Sequence, residues 1–399
     1  MRFSSKIQKC NLSPIRKFHP YAVEAAKRGI KIYHLNIGQP DIPTHNAFFD
    51  SIQNFENPVL TYAPSPGMPE LITAIQGYYK NLGINYDTND ILITTGGSEA
   101  ISILMTCILD PGDEIISPEP FYPNYNTFVR TAGGVVRPIT TTPEEGYRFV
   151  DREKIEALIT DKTRAIMFSN PGNPTGVVLS REELRILADI AKEHNLFIVG
   201  DEVYREFVYG GEDLMSIGMF DDIAENAVVI DSVSKRFSAC GARVGALITK
   251  NKELQQHALK VCQSRLSVAT MDQIAAAALY SVDSDYFDDV RAEYKLRRDT
   301  IYKKLTEIPG VVCKEPKGAF YVMAKLPIDN ADDFQMWLLN EFEDNGETVM
   351  VAPGEGFYST PGCGLDEVRL AYVLNQQDIE RAMDLLKMAI EKYNKMRNK

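Results

Sequence analysis

The sequence predicts an α/β fold in which helices cover both faces of a mainly parallel sheet, followed by a smaller α+β domain. From about residue 90, short apolar runs alternate with amphipathic stretches, as is typical of successive strand and helix units. After residue 307 the pattern changes to short strands and helices in a different arrangement. A chain of 399 residues with 44% hydrophobic content is also long enough and apolar enough to bury a large core.

The alternation can be followed element by element through the larger domain. The predicted strand and helix pairs are Ile91–Thr95 with Glu99–Leu109, Glu114–Ser117 with Tyr122–Thr131, and Ala165–Ser169 with Arg181–His194. Two further apolar runs, Leu196–Val199 and Val228–Asp231, predict the next strands. Strands that alternate with helices in this way predict a sheet covered on both faces.

The two ends of the chain are predicted to form the smaller domain. Residues 1–45 form an irregular arm that contributes to it, with one short helix near Ala22–Arg28, residues 46–290 form the large domain, and residues 291–399 form the rest of the small one. A long helical region is predicted over Glu253–Glu307. The later strands are Gly318–Ala324, Thr348–Val351 and Val368–Val373, and the later helices are Asp332–Phe342 and Gln376–Asn394.

Composition argues against several classes of protein. Acidic residues outnumber basic ones by 55 to 43, so the basic surface that nucleic acids or anionic membranes require is missing. No apolar window is long enough for a membrane span, and the first residues lack the apolar core of a signal peptide. The six scattered cysteines and five histidines show no paired metal spacing. We therefore expect a cytoplasmic protein with reduced thiols and no metal site.

Polar motifs follow the predicted strands, where ligands bind in open parallel sheets. Gly96, Gly97, Ser98 and Glu99 follow the first strand and open a helix. The glycines allow close approach of the backbone, and free N–H groups at a helix start favour a phosphate. A tight turn capped by Ser98 explains the same residues without any ligand.

Three further polar motifs also follow predicted strands directly. A rigid proline-containing loop with Asn173 follows the strand Ala165–Ser169. The next predicted strand is followed by Asp201 and Tyr204. The strand Val228–Asp231 is followed by Lys235, which lies eight residues before Arg243. Taken singly, each has an ordinary explanation, since such an aspartate often caps a helix and such a lysine is usually a solvated charge. One ligand explains all of them together.

This combination resembles the pyridoxal-phosphate-dependent aminotransferases of class I and II, in particular the bacterial aspartate aminotransferases, whose large domain has the fold type I. The resemblance covers nearly the whole chain, from Asn36–Asp41 through the lysine motif Ser232–Phe237 to Val368–Ala371. Each motif is moderately specific, whereas five of them in the order and spacing of the family are strongly so.

The resemblance implies the catalytic roles. Lys235 would form the internal aldimine with pyridoxal 5'-phosphate and move the proton at the substrate α-carbon, in a ping-pong transfer of the amino group to a 2-oxo acid. Asp201 would face the pyridine nitrogen, and Tyr204 and Asn173 would bond the phenolic oxygen. The remaining implied cofactor residues are Gly97, Ser98, Glu99, Tyr122, Ser232, Arg243 and, from a partner subunit, Tyr62. Many relatives have tryptophan where this chain has Tyr122.

The resemblance also implies the substrate site and a homodimer. Arg369 would pair with the α-carboxylate, assisted by Asn173 and the backbone of Gly38. In the aspartate subgroup a lysine that reads the distal carboxylate often follows the two glycines, but here that position is Ser98. Arg265 is the replacement candidate across the dimer interface, and a purely structural role for it stays open.

We expect amino transfer from aspartate to 2-oxoglutarate. Broader aromatic or branched-chain specificity is the first alternative, and a carbon–sulfur β-lyase of the same fold type, which uses the same lysine and aspartate, is the second. A non-enzymatic regulator with an aminotransferase-like domain is disfavoured, because only about 45 residues precede the large domain and the net charge is −12.

Overall fold

Thirteen strands and fourteen α-helices are present in the computed structural model, which describes residues 1–211 and 215–397. The strands are β1 (Lys31–His34), β2 (Ile91–Thr94), β3 (Glu114–Glu119), β4 (Val135–Thr140), β5 (Thr163–Ser169), β6 (Phe197–Asp201), β7 (Ala227–Ser232), β8 (Gly245–Ile248), β9 (Val312–Cys313), β10 (Tyr321–Lys325), β11 (Glu347–Met350), β12 (Ala352–Pro353) and β13 (Glu367–Ala371). The helices are α1 (Ser5–Gln8), α2 (His19–Lys27), α3 (Asn46–Gln53), α4 (Pro69–Asn81), α5 (Gly96–Ile108), α6 (Asn124–Ala132), α7 (Arg152–Glu156), α8 (Arg181–Glu193), α9 (Val233–Arg236), α10 (Lys252–Ser264), α11 (Thr270–Leu279), α12 (Ser284–Thr306), α13 (Ala331–Asn340) and α14 (Gln376–Arg397).

The largest sheet has seven strands in the order β2-β8-β7-β6-β5-β3-β4. The five strands from β7 to β4 are parallel, and β8 is antiparallel to both of its neighbours. The mainly parallel sheet is therefore confirmed. The strands β4 and β8 were not predicted, because β4 is an edge strand interrupted by Arg137 and Pro138 and β8 has only four residues.

Helices cover both faces of this sheet, as predicted. Because successive strand residues point to opposite faces, Ile198 and Val229 pack with α4 and α8, whereas Val199 and Ile230 pack with α5, α6 and α10. The helix α5 starts at Gly96, three residues before its predicted start. Its first turn therefore includes both glycines of the predicted phosphate motif.

A second apolar core surrounds the smaller sheets. Four strands in the order β12-β13-β10-β9 are antiparallel, and β1 pairs in parallel with β11. This core includes Tyr33 and Leu35 from the N-terminal arm together with side chains of α12, α13 and α14. The arm thus packs on the C-terminal part of its own chain.

The predicted helical region Glu253–Glu307 is helical in the structure and is divided into α10, α11 and α12. Leu266 has a positive φ of 75°, which ends the first helix, and α12 restarts after Asp283. The expected domain boundary near 290 lies inside α12. The division at residues 46 and 290 stays a prediction. None of the helices in the described ranges is long and apolar enough to cross a bilayer.

Gly245 brings β8 unusually close to the start of α5. A Cβ atom at this position would lie 2.6 Å from the carbonyl carbon of Gly96 and 2.7 Å from the backbone nitrogen of Gly97. It would also lie 2.7 Å from the carbonyl oxygen of Asp231 on β7. Backbone atoms cannot move aside as a flexible side chain can. Only a glycine at position 245 therefore allows β7, β8 and the start of α5 to approach one another this closely.

We expect Gly245→Ala to lower the free energy of unfolding by about 1–3 kcal/mol, because the added methyl group meets backbone on two sides. The control is Gly241→Ala, since a Cβ atom at Gly241 has nothing within 4 Å. Urea unfolding of both variants would test this. Equal stabilities would contradict the steric role of Gly245.

Candidate active site

A cavity of about 560 Å³ lies where β5, β6 and β7 end. Its wall combines the arm, the start of α5, the loops after these three strands, and the second core through Tyr321 and Arg369. Most of the predicted site residues line it: Gly38, Gly97, Ser98, Tyr122, Asn173, Asp201, Tyr204, Ser232, Lys235, Arg243 and Arg369. The structure therefore brings together residues that are up to about 330 positions apart in the sequence.

Lys235 projects its amine into the cavity from the short helix α9, which follows β7 directly. The hydroxyl of Ser232 caps this helix by accepting from the backbone N–H of Ser234 at 3.1 Å. The Lys235 Nζ donates to the carbonyl oxygen of Gly38 at 2.8 Å and lies 3.7 Å from the Sγ atom of Cys240. The amine thus has a fixed position but no carboxylate partner among the described residues.

Asp201 ends β6 and is buried at the floor of the cavity. Its Oδ2 atom accepts from the hydroxyl of Tyr125 at 2.5 Å, whereas its Oδ1 atom has no partner in the described part of the chain. Burial raises the pKa of Asp201 to about 6, and the Tyr125 hydrogen bond and the charge of Lys235 oppose this rise. One buried carboxylate oxygen is therefore available to a donor in the cavity.

The start of α5 and Arg243 form an anion-binding end of the cavity. Gly97 and Ser98 lie in the first turn of this helix, where backbone N–H groups have no carbonyl partner in the helix. The guanidinium of Arg243 donates to the carbonyl oxygen of Cys240 at 3.1 Å and to that of Thr95 at 3.4 Å, and it lies 3.5 Å from the Ser234 hydroxyl. A guanidinium has five N–H donors and the last two contacts are long, so donors of Arg243 remain available to a phosphate.

The backbone of Arg243 is held in the left-handed region, with a φ of 53°. Residues other than glycine rarely adopt this conformation, and such strained residues cluster at ligand sites. Here the strained backbone directs the guanidinium towards Gly96, since a Cβ atom there would meet the Nη2 atom of Arg243 at 2.5 Å. The glycine and the arginine therefore fit each other.

Two tyrosine hydroxyls and an amide form a second polar group in the cavity. The Nδ2 atom of Asn173 donates to the Oη atom of Tyr204 at 3.4 Å, and the Oη atoms of Tyr204 and Tyr321 are 2.9 Å apart. Burial raises the pKa of Tyr204 well above its usual value, and the neighbouring Tyr321 adds to this rise. Tyr204 therefore remains a protonated donor at physiological pH.

Arg369 on β13 is buried and only partly satisfied. Its Nη1 atom donates to the Oδ1 atom of Asn173 at 3.0 Å and its Nη2 atom to the carbonyl oxygen of Asn36 at 2.7 Å. Its Nε atom has no partner among the described residues, and its guanidinium lies 4.4 Å from the ring centre of Tyr321. A buried guanidinium without a carboxylate of its own is suited to an anionic ligand.

Three predicted site residues do not line this cavity. Glu99 accepts from the backbone N–H of Thr95 at 2.6 Å and forms an ion pair with Arg265, whose closest N–O distance is 3.2 Å. Arg265 also donates to the carbonyl oxygen of Ile93 at 2.6 Å. Tyr62 is 80% exposed. The roles of Tyr62 and Arg265 across a dimer interface stay predictions.

Some residues in and around the cavity carry no motif in the sequence. Tyr321, which lines the cavity, belongs to a predicted strand, and Tyr125, which bonds Asp201 but does not line the cavity, belongs to a predicted helix. Arg16 lies in the irregular arm and carries no motif. A polar tip on a buried tyrosine was the only signal for the first two residues. Within the described ranges no group of three or more potential metal ligands occurs.

Comparisons with known proteins agree with this geometry. The family model described as aminotransferase class I and II matches residues 30–386. The aspartate aminotransferase of Bacillus subtilis is 31% identical over 405 residues, covering 99% of this chain and all of the relative. A probable N-acetyl-LL-diaminopimelate aminotransferase of the same organism is 34% identical over 396 residues, covering 97% and 95%.

Solved structures give the same result. The aspartate aminotransferase of Thermus thermophilus with maleate has a TM-score of 0.88 at 29% identity, and the alanine aminotransferase of Pyrococcus furiosus has 0.90 at 31%. Each comparison covers 98% of this chain and 100% of the other. The fold is that of the fold-type-I transaminases. The chain belongs to the class I and II aminotransferase family and is a pyridoxal-phosphate-dependent transaminase.

The raised pKa of Asp201 predicts a pH dependence of stability in the enzyme stripped of cofactor. The folded pKa near 6 exceeds the unfolded value near 3.9, so the folded state holds this proton more tightly. The stability that this proton provides is present below about pH 4 and is lost as the pH rises through 6. From pH 5 to 7.5, wild type should lose roughly 1 kcal/mol relative to Asp201→Asn. Urea unfolding would measure this difference, and a constant difference would contradict the shift.

Proposed function

We propose that this enzyme transfers the α-amino group of aspartate to 2-oxoglutarate in two half-reactions. The observation that supports it most directly is the convergence of Lys235, the unpartnered oxygen of Asp201 and the partly satisfied guanidinium of Arg369 in one cavity. The names of relatives from Bacillus subtilis and Thermus thermophilus favour aspartate as the donor. The cavity also carries an excess of basic groups, as dicarboxylic substrates require.

The donor set fits pyridoxal phosphate. Gly97, Ser98, Ser232 and Arg243 would hold the phosphate, and the free oxygen of Asp201 would accept from the pyridine nitrogen. Tyr204 and Asn173 would donate to the phenolic oxygen, and Tyr122 would lie against the ring. When bound, this cofactor supplies an electron sink for the charge that develops at the substrate α-carbon.

Lys235 would hold the cofactor and then carry the proton to and from the substrate α-carbon. Its Nζ atom is positioned for this by the carbonyl oxygen of Gly38, so little reorganisation is needed before proton transfer. Asp201 would keep its neighbouring nitrogen protonated, since a buried carboxylate is most stable beside a positive charge. Tyr204 would supply a hydroxyl proton that stays in place because its pKa is raised.

Arg369 would bind the α-carboxylate that all amino-acid and 2-oxo-acid substrates share. Asn173 and the carbonyl oxygen of Asn36 hold its guanidinium in one orientation before substrate arrives. The planar fork of two N–H donors then matches the two carboxylate oxygens. Pre-orientation lowers the entropic cost of binding.

The proposed assembly is a homodimer. Val59 and Leu60, close to Tyr62 in the sequence, are exposed apolar side chains, and so are Phe49 and Leu266. Large apolar side chains that are exposed in this number are typical of a surface that another subunit covers. Tyr62 would reach the phosphate of the neighbouring subunit from such an interface.

We expect Lys235→Ala to retain cofactor binding but to lose at least about 10³-fold in transamination, because the covalent link and the proton carrier both disappear. The control is Lys250→Ala, which removes a lysine that pairs with Asp221 outside the cavity. Borohydride reduction of the wild-type holoenzyme, followed by peptide mapping, should place the pyridoxyl group on Lys235. A label on another lysine would end the assignment.

Removal of the guanidinium in Arg369→Ala should raise KM for every amino and 2-oxo acid, since all of them carry the α-carboxylate. The expected loss of affinity corresponds to about 2–3 kcal/mol. Arg369→Lys should recover little of this, because an ammonium group cannot form the bidentate pair. Steady-state kinetics with aspartate and alanine would test the assignment, and an unchanged KM would refute it.

A further inference from the structure

Arg16 is a basic residue of the cavity for which the motifs give no role. Among the described residues that line the cavity, the cations are Arg16, Lys235, Arg243 and Arg369, and the single carboxylate is that of Asp201. The proposed function uses Lys235 for the cofactor, Arg243 for the phosphate and Arg369 for the α-carboxylate. This leaves Arg16 without an anionic counterpart.

The backbone of Arg16 is fixed in a turn that precedes α2. Its N–H donates to the carbonyl oxygen of Ser13 at 3.1 Å, and its own carbonyl oxygen accepts from the N–H of His19 at 3.0 Å. The backbone N–H and carbonyl groups of Arg16 are therefore both hydrogen-bonded within the turn, which restricts rotation of the backbone at this residue. The direction in which the side chain leaves the backbone is set by the turn.

The residues on either side attach this turn to the body of the chain. Ile15 packs against a cluster that contains Phe357 and Tyr358, and Phe18 is 3% exposed in a cluster with Leu339. Burial of one such side chain stabilises its position by about 1.5–3 kcal/mol. Arg16 is thus presented to the cavity from a segment that is anchored on both sides.

The side chain of Arg16 itself is exposed at the mouth of the cavity. The next residue, Lys17, forms an ion pair with Asp332, but Arg16 has no ion pair in the ranges that the structure describes. Ser13 and Asn124 also line the cavity and carry hydrogen-bond donors, and the Nδ2 atom of Asn124 donates one of its two protons to the Tyr122 hydroxyl at 2.7 Å. An unpaired guanidinium with neighbouring donors is suited to a carboxylate.

Arg265 is less suited to the same task in its own chain. Its guanidinium pairs with Glu99 and donates from Nη2 to the carbonyl oxygen of Ile93; its Nη1 atom has no partner among the described residues, but the side chain does not line the cavity. Recruiting it for a substrate would leave Glu99 without its partner. Arg16 needs no such exchange.

We propose that Arg16 binds the distal carboxylate of the substrate and thereby selects dicarboxylic amino acids and 2-oxo acids. This inference rests on the proposed function, because it assumes that Arg369 takes the α-carboxylate. A guanidinium reads the distal carboxylate through paired N–H donors, whereas an uncharged substrate side chain gains nothing from it. Selectivity would then come from the N-terminal arm of the same chain.

The test compares Arg16→Gln and Arg16→Lys with wild type and with the control Lys17→Gln. We expect Arg16→Gln to lower kcat/KM for aspartate and glutamate roughly 10- to 100-fold, mainly through KM, because a hydrogen bond between charged groups is lost. Alanine and phenylalanine should change by less than about threefold. Arg16→Lys should retain part of the dicarboxylate preference, and Lys17→Gln should leave the ratio of donors unchanged.

Binding without turnover gives a second readout. Calorimetric titration of the holoenzyme with succinate should show the same 10- to 100-fold weakening in Arg16→Gln, whereas propionate, which has one carboxylate, should bind both proteins alike. Equal succinate affinities, or an equal loss for all four donors, would overturn the role of Arg16. A selective loss in Arg265→Ala that is absent in Arg16→Gln would also overturn it.

The two proposals fail in different ways. A wild-type enzyme that transaminates alanine but not aspartate would refute aspartate as the substrate. In that case the succinate titration still decides the role of Arg16, because it needs no amino donor. If the wild type transaminates aspartate and Arg16→Gln does so equally well, the proposed function remains and the role of Arg16 is refuted.

Discussion

The site depends on the parallel pairing of β5, β6 and β7. Asp201 is in register with Ser169 on one side and Ile230 on the other, so β5 and β6 end together and β7 continues for two more residues, to Ser232. The ladder continues into the site, since the N–H of Asn170 donates to the carbonyl oxygen of Asp201 at 3.0 Å. A slip by one residue would turn the Asp201 side chain to the opposite face of the sheet, away from Lys235. The chemistry is thus set by backbone hydrogen bonds before any side chain contributes.

A buried ion pair lies next to the end of β7. Arg236, which directly follows Lys235, forms a 2.8 Å ion pair with Asp231, and the hydroxyl of Tyr79 donates to the other oxygen of that carboxylate at 3.0 Å. Both members of the ion pair are about 1% exposed. Such pairs add little net stability because desolvation offsets their attraction, but breaking one leaves an uncompensated buried charge. We infer that this ion pair fixes the backbone of α9, the helix that carries Lys235.

Much of the site could be found in the sequence because its residues directly follow apolar runs. Asn173, Asp201 and Lys235 each come a few residues after a strand that the pattern identifies. Tyr125 could not be found in this way, since its contact with Asp201 joins residues 76 positions apart and its helix periodicity predicts only burial. The division of the predicted helical region into three helices could not be found either, because the positive φ at Leu266 is not marked by a glycine or an asparagine.

The pairing of β1 with β11 has a consequence for how the chain reaches this structure during synthesis. Lys31 leaves the ribosome early, but its partner in the sheet, Glu347, is made roughly 300 residues later. At typical elongation rates the first strand must wait roughly 15 to 60 s for its neighbour. During this interval Tyr33 and Leu35 lack the C-terminal side chains with which they pack, so this segment of the nascent chain presents exposed apolar side chains to chaperones that bind them.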